Sequence, residues 1–210
     1  MKTVRAWHFV AATLRDGRPI PKDGVWLKHT GQVKICEYGL HASLQAFDAL
    51  QYAPGPNLCM VDCGDIVEMQ SDKIVCRERR ILCRFDATEM LRYFARQQAL
   101  SVIDLWDTEP PDVVLDYLMT GDESIGVAAY TAAKVAAEVA ADVAADFAAY
   151  AAAYAAAYAA DAAAYTAAKV AAAYPAAYAA KVAAYTADAA NARKPFNALV
   201  NECFGIGGNS

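Results

Sequence analysis

The sequence lacks most of the features that mark well-known classes of protein. Lysine and arginine number 19 against 24 aspartates and glutamates, a formal net charge of −5. Non-specific binding of nucleic acid needs a basic face, so this composition argues against a nucleic-acid-binding protein. The sequence contains no Gly-rich phosphate loop, dinucleotide-binding fingerprint, nucleophile elbow or metalloprotease motif. These absences favour a non-enzymatic protein without a cofactor.

Long apolar runs are also missing. The first residues lack the apolar run of a signal peptide, because Arg5 and His8 interrupt it. No run of strongly apolar residue types is long enough to span a membrane. We therefore expect a cytoplasmic protein without membrane contact, in which the six cysteines are reduced thiols.

Glycine is absent from residues 127–193, and more than half of these residues are alanine. Alanine has the highest intrinsic helix propensity, so the composition predicts helix. The segment Thr120–Glu123 has the form of a capping box that would start this helix. Pro175 suits the first turn of a second helix, which predicts a long helical hairpin. The unit Tyr130–Ala137 recurs at Tyr165–Ala172, which indicates an internal duplication.

Larger side chains of the Ala-rich region recur every four residues. A helix has about 3.6 residues per turn, so these side chains spiral around the axis and form no heptad seam. The alanines between them leave a groove for a second helix, which predicts a homo-oligomer that pairs through these helices. Four tyrosines are candidate interaction residues: Tyr150, Tyr154, Tyr158 and Tyr165.

The first part of the chain has the patterns of strands. β-Branched and aromatic residues, alternation and flanking turn residues are the evidence. The predicted strands are Thr3–Ala11, Val25–Leu27, Val33–Cys36, Leu58–Met69 and Ile74–Phe85.

Apolar residues at helical spacing predict helices in the same part of the chain. The first predicted helix runs from Leu44 to Tyr52, with Ser43 as its N-cap. A second helix is expected after Asp86, and a third at Asp112–Met119, which Gly121 ends.

These patterns together predict an α+β fold. We expect a mixed or antiparallel sheet with helices in residues 1–120, followed by the long Ala-rich helical hairpin in residues 121–194. Residues 195–210 are predicted to form a short C-terminal helix and a frayed tail.

The segment Cys36–Ser43 is the candidate binding site, because it joins a strand end, a glycine turn and a helix start. His41 is the candidate catalytic residue, since the charge of histidine changes near neutral pH. The structural alternatives are that Gly39 only supplies a positive φ and that His41 only bonds the turn. The predicted ligand-binding residues are Gly39, His41, Ser43, Arg77 and Arg79.

Arg77 and Arg79 are included because they share one face of a predicted strand, and arginine binds phosphate or carboxylate through its planar fork. The alternative is a solvated strand face. A zinc site formed by Cys36, His41 and two further cysteines has poor spacing. Cys59 and Cys63 would lie about 13 Å apart on a strand. We expect no metal.

Four segments resemble an uncharacterised domain family that is common in tailed-phage and prophage genomes, where the domain is joined to a low-complexity, often Ala-rich repeat. They are Val4–Phe9, Cys36–Ser43, Ala49–Gly55 and Asp72–Arg77. The resemblance covers residues 2–110. It implies a phage-borne protein in the host cytoplasm, where small accessory proteins often bind and neutralise a host factor. The leading hypothesis is therefore an accessory protein that inhibits a host defence factor by binding a host or phage protein or a ligand.

The strand, Gly-turn-His and helix also resemble ADP-ribosyltransferase-like domains. That resemblance implies that His41 contacts the nicotinamide ribose and that Glu68 or Glu78 is the acid. An ADP-ribosyltransferase-like or nucleotide-binding domain centred on His41 is thus the alternative function. A structural virion or assembly protein is a third.

Overall fold

The computed structural model describes residues 2–14, 16–101, 103–105, 109–143 and 189–206. They fall into two compact units, Met1–Ala87 with Phe196–Ser210 and Thr88–Pro195. An antiparallel sheet accompanied by helices makes the fold α+β, as predicted. The hairpin predicted beyond Val143 lies outside the described residues, and the predicted domain boundaries stay a prediction. No helix within the described ranges is both long and apolar enough to cross a membrane.

The first unit is built on five antiparallel strands. They are β1 (Thr3–Val10), β2 (Trp26–Lys28), β3 (Leu40–Ala42), β4 (Asn57–Met69) and β5 (Ile74–Asp86). β1 pairs with β4 and β4 with β5, while β2 and β3 lie one after the other along the second edge of β5. β5 therefore has neighbours on both sides, and residues in its middle are buried.

The sheet curls until its two edges meet. Trp7 N donates to Ser43 O at 2.7 Å, and Ser43 N donates to Trp7 O at 2.9 Å. The residue after β3 is thereby joined to β1, on the opposite edge of the sheet. β4 contains two register shifts against β5, and such irregularities bend a strand and increase its twist.

The curled sheet contains an apolar cluster of small and medium-sized side chains. Its buried members are Ala6, Val10, Ala42, Cys59, Val61, Cys63, Ile74, Cys76 and Ile81. Burial of a valine or isoleucine side chain stabilises a fold by about 1.5–3 kcal/mol. Ala6 and Val10 of β1 lie in this cluster, and Trp7 and Phe9 of the same strand are buried as well.

Aromatic side chains from the C-terminal segment pack within the same unit. Phe204 follows helix α5 (Ala189–Cys203) and meets Trp7 and Phe85 edge to face, with ring centroids 5.0 and 6.0 Å apart. Such pairs contribute about 0.5–1.5 kcal/mol beyond area burial. The C-terminal helix begins before its predicted start at residue 195, and Pro195 lies inside it.

Helix α1 spans only Ala46–Leu50, and its predicted N-cap is wrong. Ser43 is held by the backbone pairing with β1, and Gln45 occupies the N-cap position without a side-chain cap bond. Asn197 of α5 supplies the missing acceptor, because its Oδ1 accepts from Phe47 N at 3.1 Å. A residue far along the chain thus satisfies one of the donors that every helix start leaves open.

The predicted strand at Val33–Cys36 is also wrong. Lys34 forms an isolated bridge with Tyr38, and the residues between them form a turn. Cys36 adopts a φ of 67° in this turn, which is incompatible with a strand. The remaining predicted strands are confirmed to within one or two residues.

The second unit contains helices only among its described residues. They are α2 (Thr88–Leu100), a 3₁₀ turn at Ile103–Leu105, α3 (Asp112–Thr120), a 3₁₀ turn at Glu123–Ile125, α4 (Gly126–Val143) and the first residues of α5, up to Pro195. Gly121 ends α3 with a φ of 71°, as predicted. The predicted capping box is wrong, because Asp122 accepts from Ser124 N at 2.9 Å. Thr120 Oγ1 instead donates to Asp116 O at 2.6 Å.

Candidate anion-binding site at Arg79

Arg79 lies in the middle of β5, between Leu27 of β2 and Cys63 of β4. This position leaves the residue only 7% exposed. Its Nη1 donates to His41 O of β3, the other strand on the same edge of β5. The pairing of two short strands with one long strand therefore brings His41 and Arg79 together.

Arg79 differs from the neighbouring arginines in its counter-charge. Arg80 donates to Asp62 at 2.9 Å, and Arg84 pairs with Asp23. In the part of the chain that the structure describes, no carboxylate forms an ion pair with Arg79, and His41 O is its only hydrogen-bond acceptor. Arginine stays charged at neutral pH, and a buried charge without compensation is costly.

The hydrogen bond with His41 O uses only one of the three guanidinium nitrogens of Arg79. One nitrogen, Nη1, is used by His41 O. The edge formed by Nε and Nη2 carries two parallel N–H donors, which match the two oxygens of a carboxylate or phosphate. A small oxyanion at this edge would supply the counter-charge that the described residues do not.

His8 lies close enough to Arg79 for the two side chains to interact electrostatically. It lies on β1 opposite Cys59 and is half-buried. Burial is the largest cause that lowers the pKa of His8 well below its ordinary value, followed by electrostatic interactions with Arg79 and His41. His8 is therefore neutral at neutral pH, and a neutral imidazole can donate one N–H to a ligand.

The buried cysteines near Arg79 do not replace an anion. Burial raises the pKa of Cys59 to about 11, and a hydrogen bond with Cys76 together with burial raises the pKa of Cys63. The same hydrogen bond lowers the pKa of Cys76. However, Cys76 Sγ lies 3.3 Å from Leu40 O, a contact that only the S–H form makes favourably. We therefore treat all three as thiols.

Both the ring and the backbone carbonyl of His41 accept a hydrogen bond. Its ring Nε2 accepts from Cys36 N at 3.0 Å, and its carbonyl accepts from Arg79. The ring bond requires an unprotonated Nε2, so the turn before β3 fixes the tautomer of His41.

The remaining predicted ligand-binding residues are Gly39, Ser43 and Arg77, and each has contacts of its own. Gly39 has a φ of 114°, and a Cβ built on it would lie 2.7 Å from Val75 Cγ2. Ser43 is buried in the pairing with β1. Arg77 donates to Gly31 O at 2.9 Å. Ligand binding by these residues stays a prediction.

His8 was missed by the sequence argument. The available signal was its place among Val4, Ala6 and Val10 on an apolar strand face, where a histidine is unusual. Within the described ranges, no group of three or more His, Cys, Asp or Glu side chains could hold a metal ion. The four predicted interaction tyrosines lie outside the described residues.

Residues 4–93 match the family described as "Domain of unknown function (DUF7666)". The matched segment contains β1 to β5, and with them His8, His41 and Arg79. This match agrees with the expectation of an uncharacterised domain family. No curated protein and no solved structure matches the chain.

Proposed function

We propose that residues 4–93 form a non-enzymatic binding domain for an anionic ligand. Arg79 provides the charge, and His8 and His41 flank it. The supporting observation is that Arg79 is only 7% exposed yet has no carboxylate partner among the described residues. Ligands of this class carry a phosphate or carboxylate group, because both match the free edge of the guanidinium.

The broader proposal is an accessory protein of a phage or prophage that sequesters a host factor in the cytoplasm. Its support is the family resemblance and the absence of recognised catalytic motifs in the sequence. A host or phage protein, or a second copy of the chain, would bind the Ala-rich helices. On α4, Val127 and Val135 are 62% and 54% exposed, which supports a role of this helix in contacts.

Thermal unfolding in inorganic phosphate, compared with chloride at equal ionic strength, tests anion binding. Arg79→Met removes the charge but keeps the length of the side chain, and Arg84→Met makes the same change at a site paired with Asp23. A ligand at a concentration 100 times its Kd stabilises the folded state by about 2.7 kcal/mol. We expect phosphate to stabilise the wild type and Arg84→Met but not Arg79→Met. An equal response of Arg79→Met would refute the proposal.

NAD should be tested in the same thermal unfolding experiment, because its diphosphate is an anion of the proposed ligand class and His41 adjoins Arg79. An ADP-ribosyltransferase-like reaction would release nicotinamide, and His41→Ala would abolish that release. Of the two candidates for the acid of this alternative, Glu78 pairs with Lys28 at 2.8 Å, and Glu68 is exposed and accepts from Gln70. Stabilisation by NAD without nicotinamide release would favour binding over catalysis.

A further inference from the structure

The face of the sheet opposite to Arg79 carries a row of charged side chains. Arg80 follows Arg79 on β5, and successive residues of a strand point to opposite faces. Arg5 of β1 lies opposite Asp62 of β4, which lies opposite Arg80. Arg5 Nε donates to Asp62 Oδ1 at 3.0 Å, and Arg80 Nη2 donates to Asp62 Oδ2 at 2.9 Å. One carboxylate therefore orients two guanidinium groups from the strands on either side of it.

The guanidinium of Arg80 also contacts an aromatic ring. Trp26 of β2 lies opposite Arg80, and the guanidinium carbon lies 4.8 Å from the centre of the Trp26 ring. The ring extends towards Gly64 of β4, where a Cβ built on the glycine would be in ordinary contact with Trp26 Cη2 at 3.7 Å. Because Arg80 is held by both Asp62 and Trp26, its planar group loses little freedom when a further ligand binds it.

The cations of this face are exposed, whereas the carboxylates are not. The side chains of Arg5, Lys28 and Arg80 are 59%, 65% and 36% exposed. Their partners Asp62 and Glu78 are only 7% and 16% exposed. Lys28 of β2 belongs to the same face, because it lies opposite Glu78, two residues before Arg80, and its Nζ lies 2.8 Å from Glu78 Oε1. The two carboxylates therefore lie beneath three cations, and the charge nearest to solvent is positive.

This face suits an acidic protein segment better than a nucleic acid. Binding of single-stranded nucleic acid relies on aromatic rings on which bases stack, and the ring of Trp26 already contacts Arg80. The chain has a net charge of −5, which repels a partner more strongly when that partner carries a charge on every residue, as a phosphate backbone does. Single glutamate or aspartate side chains can reach one guanidinium at a time, and their carboxylates match its planar donors.

We propose that Arg5, Lys28 and Arg80 form a docking surface for an acidic segment of another protein. The carboxylates of that segment accept hydrogen bonds from the two guanidinium groups and from the lysine. The surface is separate from the Arg79 site, because Arg79 and Arg80 point to opposite faces of β5. Complementary charges at exposed positions mainly raise the association rate, and salt screens them. Binding should therefore be fast, weak and sensitive to salt.

The test measures the binding of two fluorescent ten-residue peptides to the full chain by anisotropy. One peptide alternates glutamate and serine, and the other has glutamine in place of glutamate. We expect only the acidic peptide to bind. Its Kd should rise several-fold between ionic strengths of about 0.01 and 0.15 M, because the Debye length falls from about 30 to about 8 Å.

Arg5→Gln and Arg18→Gln form a matched pair of variants. Both arginines are 59% exposed and pair with an aspartate, but Arg18 pairs with Asp16 in the loop after β1. Each variant removes one positive charge, and Asp62 keeps Arg80 as a partner in Arg5→Gln. We expect Arg5→Gln to raise the Kd of the acidic peptide by about two- to fivefold, the range of an exposed charge pair. Arg18→Gln should leave the Kd unchanged.

Four results would overturn the proposal. They are absence of binding by the acidic peptide, equal binding of the two peptides, equal Kd values for Arg5→Gln and Arg18→Gln, and tighter binding of a ten-nucleotide oligothymidylate than of the acidic peptide. Arg79→Met should bind the acidic peptide like the wild type, and loss of binding in that variant would assign the peptide to the Arg79 site instead. Stabilisation by phosphate is measured separately, so the docking proposal and the Arg79 proposal can fail independently.

Discussion

Gly39→Ala is predicted to destabilise the first unit severely, although Gly39 was a candidate ligand-binding residue. The φ of Gly39 is 114°, and an added Cβ would lie 2.7 Å from Val75 Cγ2 and 3.0 Å from Val33 Cγ1. A left-handed backbone costs a residue with a Cβ about 1–2 kcal/mol. Overpacking of a tight core costs a further 1–3 kcal/mol, roughly. We therefore expect a loss of about 2–5 kcal/mol in the free energy of unfolding.

Gly17→Ala is the control that isolates the steric part of this loss. Gly17 also has a positive φ, 81°, but nothing lies within 4 Å of its added Cβ. It should lose only the backbone part, about 1–2 kcal/mol. Urea denaturation monitored by tryptophan fluorescence measures both variants.

The double variant Gly39→Ala, Val75→Ala tests the named contact directly. Val75 is fully buried, so Val75→Ala alone is destabilising. If the added methyl group meets Val75, the two losses should combine to less than their sum by about 1 kcal/mol. The reasoning fails if Gly39→Ala is no less stable than Gly17→Ala, or if the two losses simply add.

Two further predictions concern the second unit and the pH dependence. In Gly121→Ala the residue keeps a φ of 71°, so we expect a backbone loss of about 1–2 kcal/mol in urea denaturation. The overlap of its Cβ with the Arg96 guanidinium adds a steric loss. Removal of that guanidinium by Arg96→Met in the same protein should recover only the steric part. The pKa of His8 is lower in the folded protein than in the unfolded chain, so the unfolded chain binds the extra proton between the two pKa values. Stability should therefore fall as pH drops below about 6.5, by at most about 1.4 kcal/mol per pH unit, and His8→Gln should flatten the profile.

The long strands were predictable because their signal is local. β-Branched and apolar residues predominate in β4 and flank the charged middle of β5, and the turn between the two strands contains Ser71 and Asp72. The short strand β3 was harder to predict, because three residues carry no periodicity. Leu40–Ala42 becomes a strand through pairing with Ile74–Cys76, and that pairing depends on the register of the whole sheet.

The N-terminal cap of α1 could not be predicted from neighbouring residues. Ser43 has the side chain of an N-cap, but its backbone is already paired with Trp7. The acceptor for Phe47 N comes from Asn197, about 150 residues along the chain. The sequence pattern indicated Ser43, the nearest suitable side chain, whereas the acceptor in the folded protein is the distant Asn197.

Only part of the candidate site could be predicted from the sequence, because the register of the strands decides which side chains meet. Arg79 and His41 were selected for their chemistry, and the strand register brings them together. Arg77 was selected by the same rule, but it lies nearer the end of the sheet and bonds Gly31 O. His8 lies on β1 opposite Cys59 of β4, and β4 in turn pairs with β5, which carries Arg79. Its place beside Arg79 depends on the register of three strands, which the residues near His8 do not encode.

The net charge of the chain bears on how an anion would reach Arg79. With a formal charge of −5, the protein as a whole repels anions at long range. Arg79 is only 7% exposed, so an anion must come into close contact to reach its guanidinium. Salt screens the long-range repulsion between exposed charges more strongly than the contact with a buried group. Added salt should therefore weaken anion binding here less than at a cluster of surface lysines, and a ligand would gain affinity mainly from its fit to the guanidinium edge.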